Sequence, residues 1–125
     1  MKIILGWPPS FDEEDKKIEN VITTYRGDIY LCDQTEIRDD AIEHEKKHLE
    51  QAGDDYDSWI EHCQTDTEFY ISQEVEAYRT QLEFIEKTRG KEDMIKATFS
   101  FAKYLSSKAY GNVISYEEAL KKLKQ

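Results

Sequence analysis

From Asp66 to Ser107 the chain sets apolar side chains at helical spacing twice in succession, with Gly90 as the break between the two runs. Phe69, Val75, Tyr78, Leu82 and Ile85 are the candidate core positions of the first run, which Asp66 or Thr67 caps and which reaches about Arg89. Met94, Ile95, Thr98, Phe101, Ala102 and Leu105 serve the second, from about Lys91 to Ser107. Apolar residues recurring every three or four positions give a helix one face to bury, and glycine is the residue best suited to end it. A chain of 125 residues that commits this much length to two helices has room for one domain, residues 1–125, with a modest core.

The preceding half reads as mixed. "KIILGW" is a short apolar run closed by Gly6 and the Pro8-Pro9 pair, which predicts a first strand. Ser10 is placed to cap a helix through about Thr23, with Phe11, Ile18, Val21 and Ile22 as its stripe. Gly27-Asp28 then turns the chain into "DIYLCD", a second strand with Ile29 and Leu31 facing one side. Asp33 or Thr35 opens a helix from about residue 36 to Ala52, and Gly53 stops it. Ile37, Ala41, His44, His48 and Ala52 share one stripe of that helix, with Glu45 and Leu49 beside it. "SWIEHC" predicts a short helical segment, and "SYEEALKKLK" a last helix capped by Ser115. The fold class is α+β, mainly helical, with a small N-terminal sheet.

Charge narrows the partners. A net charge of −10 argues against a nucleic-acid backbone as ligand, since that surface is held by clustered Lys and Arg. No apolar run approaches the roughly 18–20 residues that cross a bilayer, so no membrane partner is expected. "MKIIL" is short for a secretory signal, which points to the cytoplasm. Cys32 and Cys63 lack a paired spacing and read as buried thiols rather than a disulfide.

"HEKKH", residues 44–48, carries the chemistry. Residues four apart lie one turn apart on the same helix face, so His44 and His48 can aim imidazole nitrogens at one point. Zinc accepts neutral imidazole and takes four ligands in a tetrahedron. Glu45, rotated by about 100° from His44, stands beside such a metal without binding it. There it can act as general base for a water attacking a carbonyl that the metal polarises. The plainer alternative is a pair of half-buried histidines bonded to carboxylates in a glutamate-rich helix.

A hydrolytic site needs a third protein ligand and an open position. Asp54 stands where a metzincin keeps its last ligand, but Gln51 replaces the glycine of that pattern. His62 and Cys63 lie on the next segment, with nothing in their spacing that requires them to approach. "QEVEAY" offers Glu74 and Glu76 on the long helix. In gluzincins a helix glutamate followed by alanine is common, and Glu76-Ala77 fits that description, which makes Glu76 the expected ligand over Glu74.

The longer stretch "HEKKHLEQAG … DSWIEHCQTDTEFYISQEVEAYRTQ" resembles small metallopeptidase-like proteins encoded by tailed bacteriophages and prophages. "LSSKAYGNVISYEEA" and "GDIYLCD" extend the likeness over roughly residues 25–120. The resemblance implies a minimal zincin similar to a reduced thermolysin core, with Zn2+ held by His44, His48 and Glu76 and with Glu45 as general base. It implies a peptide or protein substrate, and a location in the bacterial host cytoplasm or with the virion. Lys46-Lys47 departs from the apolar residues such proteins tend to carry there.

Zincins usually stabilise the developing oxyanion with a side chain near the metal. Tyr110 is the first candidate, ahead of Tyr78 and Tyr116, and Trp59 reads as a packing anchor. Residues 28–32 offer a strand for edge pairing with an extended peptide. A non-catalytic phage assembly or host-interaction protein stapled by zinc is the alternative function, and an acidic protein docking on a basic host surface is a third.

Overall fold

The computed structural model describes residues 1–14, 16, 21–32 and 38–125. Three short strands come first: β1 (Ile3–Leu5), β2 (Ile22–Tyr25) and β3 (Asp28–Leu31). Five helices follow among the described residues: α1 (Asp39–Ala52), α2 (Tyr56–Thr65), α3 (Thr67–Arg89), α4 (Lys91–Leu105) and α5 (Tyr116–Lys124). A single 3-10 turn at Lys108–Tyr110 joins the last two. The chain is thus mainly helical α+β.

The sheet runs in the order β1-β3-β2, with β1 parallel and β2 antiparallel to β3. β2 and β3 form a two-residue hairpin through Arg26 (φ 45°) and Gly27 (φ 90°). Positive φ at both central residues matches the right-handed twist of the strands, and glycine meets it without a Cβ clash. Ile29 and Leu31 are fully buried against Ile42 of α1, with Ile22 and Leu49 at the margin. The second core lies where α3, α4 and α5 meet, around Val75, Leu82, Ala102, Leu105 and Leu123. Between these two cores, α1 packs along α3, and the interface holds polar side chains.

Local signals account for most helix ends. Asp55, Asp66 and Ser115 accept the backbone N–H three residues on, at 3.0, 3.1 and 3.1 Å, and so cap α2, α3 and α5. Gly90, at φ 99°, separates α3 from α4.

Some expectations change. A helix reaching Thr23 is excluded, because residues 22–25 form β2. Ile22-Thr23-Thr24 is a β-branched run, and such side chains suit the pleated surface better than a helix. Ile18, Asp33, Thr35 and Ile37 lie outside the described residues. α4 stops at Leu105 rather than Ser107. The segment around "SWIEHC" forms the ten-residue α2.

The strand expected to offer a free edge does not: β3 is central, and β1 and β2 are the edges. In the β2–β3 ladder Tyr25 pairs with Asp28 across the two-residue turn, so Thr23 turns its backbone groups inward and Ile22 and Thr24 turn theirs outward. The Tyr56 hydroxyl donates to the Thr24 carbonyl at 3.2 Å, while the Thr24 hydroxyl donates to the Glu45 carbonyl at 3.1 Å. β2 is therefore tied to both α1 and α2.

Candidate metal centre

His44 and His48 project from the face of α1 that meets α3, and both are buried. Their Nε2 atoms are 3.2 Å apart. Glu74, from the facing turn of α3, brings its Oε2 to 3.2 Å from His44 Nε2 and 2.6 Å from His48 Nε2. Two bonds of about 2.0–2.1 Å meeting at the tetrahedral angle separate their ligand atoms by roughly 3.3 Å. Two sides of the triangle formed by these three atoms have that length, and the third, at 2.6 Å, is a hydrogen-bond distance. Two imidazoles and a carboxylate are also a donor set that zinc accepts, so the residues fit a metal ion. Among the described residues, this is the one group of three or more such side chains close enough to share an ion.

The carboxylate that joins the histidines is Glu74, not Glu76. Residues two apart on a helix point to nearly opposite sides, so the two glutamates cannot exchange roles. Glu76 keeps 55% of its side chain exposed, accepts from Gln51 Nε2 at 3.1 Å and sits 3.9 Å from Lys47 Nζ. Ala77, the small residue that follows Glu76, is completely buried and stands three positions after Glu74 on the same face. It lets α1 approach on Glu74's side.

Electrostatics follow from burial and proximity. Burial lowers the His48 pKa, but its hydrogen bond to Glu74 and the charges of Glu74 and Glu45 outweigh it and raise the value to about 9. Burial raises Glu74, yet the two histidines hold its carboxyl well below the usual carboxylate range. Glu45 is different. Burial lifts its pKa above the ordinary value, and the attraction of His48 and His44 only partly opposes this. Its Oε2 stands 3.7 Å from His44 Nε2, adjacent to the triangle and outside it. A buried carboxyl with a raised pKa is suited to accept a proton.

Tyr110 does come to the centre. Its hydroxyl donates to Glu74 Oε1 at 2.8 Å and lies 3.1 Å from the Tyr78 hydroxyl. Burial and the neighbouring Glu74 charge push its pKa far above that of an ordinary tyrosine, so it remains a donor. The phenol expected at an oxyanion therefore grips the third carboxylate. Tyr78 lies edge-on to His44 with ring centroids 4.4 Å apart, and Tyr116 sits 40% exposed on α5.

The other candidates remain outside the triangle. Asp54 is exposed. His62 stacks on Phe69 with centroids 3.6 Å apart and pairs with Asp66 at 3.3 Å. Cys63 is a buried thiol lining the same cleft, its pKa pushed up to about 11 by burial and then by Glu74. Lys46 and Lys47 pair with Glu43 and Glu50, each at 3.2 Å, away from the ligand face, which explains why polar residues are tolerated within the motif.

Two glutamines were not among the candidate site residues of the sequence. Gln51 Oε1 lies 2.8 Å from His48 Nδ1, and Gln81 Oε1 lies 3.0 Å from His44 Nδ1. Their spacing supplied the missing signal: Gln51 is one turn beyond His48, and Gln81 is two turns beyond Glu74. Trp59 packs against His48, with centroids 5.5 Å apart, and donates to Gln73 Oε1 at 2.9 Å.

The centre opens on a cleft of about 700 Å3 whose lining includes Val21, Ile22–Thr24 of the β2 edge, Glu45, Trp59 and Tyr110. Among the described residues no helix is long and apolar enough to cross a membrane. Compared with protein-family models, curated proteins and solved structures, the chain matches none.

Proposed function

We propose that the protein is a zinc-dependent hydrolase acting on peptide bonds, with His44, His48 and Glu74 as the metal ligands. The observation that carries this reading is the convergence of three buried ligand atoms with a fourth buried group, Glu45, held just outside them. A bound zinc ion would supply Lewis acidity to polarise a carbonyl and to make water acidic near neutral pH. Glu45 then receives the proton of the attacking water and passes it to the leaving amine. Its raised pKa brings it closer to neutrality than a surface glutamate, which suits a group that must both take and give a proton.

The cleft supports an extended peptide as substrate. Its size falls within the usual range for ligand sites, and the outward backbone groups of Ile22 offer a ladder position on an edge strand. Tyr56, by occupying the Thr24 carbonyl, limits the pairing to a short stretch. Tyr110 orients Glu74. The resemblance of residues 25–120 to phage-encoded metallopeptidase-like proteins favours the same activity and a bacterial cytoplasmic or virion setting.

A second reading has its own support. The triangle spans α1 and α3, which lie between the two cores, and Tyr70, Tyr78 and Tyr110 crowd Glu74. That arrangement also suits a non-catalytic zinc staple in a phage assembly or host-interaction protein. One experiment separates the two. Purified protein is loaded with Zn2+, its metal content is measured, and cleavage of a peptide library is followed by mass spectrometry. Stoichiometric zinc with cleavage that disappears in Glu45→Gln supports the hydrolase. Stoichiometric zinc with no cleavage supports the staple, and zinc content unchanged in His44→Ala rejects both.

A further inference from the structure

Each imidazole of the centre spends its second nitrogen on a glutamine, and the far end of each glutamine fixes where the hydrogens lie. Gln51 Nε2 donates to the Gln73 backbone carbonyl at 2.9 Å and to Glu76 Oε1 at 3.1 Å. Gln81 Nε2 donates to Asp40 Oδ2 at 2.6 Å. Carbonyl and carboxylate oxygens only accept, so both amide nitrogens must face them and both amide oxygens must face the imidazoles. An amide oxygen also only accepts. Nδ1 must therefore be the donor in His44 and in His48 alike.

A neutral imidazole with its hydrogen on Nδ1 keeps the lone pair on Nε2. Both lone pairs then face one another across 3.2 Å beside a carboxylate oxygen. Three electron-rich atoms at that spacing repel unless a positive charge stands among them, a proton between His48 Nε2 and Glu74 in the metal-free protein or a metal ion in its place. We infer that Gln51 and Gln81 are positioning residues that hold both histidines with the hydrogen on Nδ1, and so reserve both Nε2 atoms for a divalent metal ion. This rests on the metal-binding reading given above and is independent of catalysis.

Neither glutamine floats. Gln81 is buried, and its partner Asp40, in the first turn of α1, lies 3.4 Å from Arg89 in the last turn of α3. Gln51, in the last turn of α1, reaches the α3 backbone at Gln73. The two bridges cross the α1–α3 interface at either end of the histidine pair. They fix the helix spacing on which convergence depends, as well as the tautomer.

The test uses the full chain with Zn2+ as probe. Affinity is measured by competition with a chromophoric chelator, and imidazole hydrogens are followed by 1H–15N NMR with and without zinc. In the parent protein both Nδ1–H signals should be present and slowly exchanging. Gln51→Leu should lose the His48 signal and bind Zn2+ roughly 10–100-fold more weakly, the usual effect of removing such a support. Gln81→Leu should do the same through His44. Gln51→Glu keeps an oxygen that accepts from Nδ1 while giving up the bonds to the Gln73 carbonyl and to Glu76 Oε1; combined with Glu76→Gln, which removes the facing charge, it should restore the signal and bring affinity to within a few-fold of the parent.

If the bridge merely held the helices together, the combined variant and Gln51→Leu would weaken binding alike, and the inference would be overturned. Zinc bound by the parent protein without the two Nδ1–H signals overturns it as well. Failure of the parent to bind zinc, with both signals present in the metal-free protein, instead removes the metal reading and leaves the tautomer assignment standing.

Discussion

Replacing Glu74 by glutamine keeps the shape of the side chain and removes the charge that both histidines face. In metal-free protein the largest consequence falls on His48, whose pKa is raised from 6.5 to about 9 mainly by Glu74 working against burial. A group with a raised folded pKa stabilises the fold in full below its unfolded pKa, here 6.5, and that stability is lost as pH rises through about 9. At about 1.4 kcal/mol per pH unit, the span from 6.5 to about 9 is worth about 3 kcal/mol. The imidazole can shed its proton once the partner is gone, which caps the loss near that figure rather than at the full cost of a stranded buried charge. At this chain length 1 kcal/mol moves Tm by roughly 4 °C, so Glu74→Gln should melt roughly 10 °C below the parent at pH 6 in the presence of chelator. The gap should narrow between pH 6.5 and 9 and largely close above. Glu76→Gln, at an exposed position, should shift Tm by no more than about 2 °C at any pH. Differential scanning calorimetry across pH 6–10 measures both, and zinc titration of the same variants should show at least 100-fold weaker binding for Glu74→Gln alone. A Tm gap independent of pH, or a zinc defect in Glu76→Gln with none in Glu74→Gln, would refute the reasoning.

Four further outcomes are expected. Glu45→Gln should retain zinc within a few-fold, since Glu45 stands outside the triangle, and should lower any peptide hydrolysis by about 10²–10⁴-fold in a single-turnover assay. Tyr110→Phe removes the 2.8 Å donor to Glu74 Oε1 and should weaken Zn2+ by roughly tenfold or more, read by chelator competition. Saturating zinc should raise Tm at pH 7.5 and progressively less towards pH 6, because metal and proton compete for His48; equal shifts at both values would contradict the site. Leu105→Ala, at a fully buried position among α3, α4 and α5, should cost about 2–5 kcal/mol in urea unfolding.

Helix existence was legible in the chain because the signals are local. Asp66, Gly90 and Ser115 punctuate 3.6-residue periodicities that continue for several turns, and α3, α4 and α5 appear within two residues of their expected limits. The sheet was less so. β2 begins at Ile22, which together with the preceding Val21 also matches a helical stripe, and four residues carry too little periodicity to decide. Its neighbourhood in the fold decides instead: Thr24 and Tyr25 pair with Ile29 and Asp28 through a two-residue turn whose pairing partner is invisible to a window on one segment.

The same distinction explains the candidate metal centre. His44, Glu45 and His48 share one helix, so their relation is set by helical geometry alone and was readable from spacing. The third carboxylate belongs to another helix, and choosing it requires the rotation of α3 about its axis. Ile71, Val75, Tyr78 and Leu82 define the face of α3 turned to α4 and α5; what remains for α1 is the adjoining stripe of Glu74, Ala77 and Gln81. That stripe is written in the chain, as a small residue flanked at i−3 and i+4 by polar groups that would be unwelcome in a core without partners. A buried alanine between two buried polar side chains marks the face where a second helix approaches closely and meets them with polar groups of its own. Glu76 fails this criterion because Gln73, Glu76 and Thr80 continue on a stripe that is not buried. Adjacency to alanine in sequence is therefore a weaker guide to a ligand than co-facial position with it, and the three-residue step from Glu74 to Ala77 selects the carboxylate that the two histidines meet.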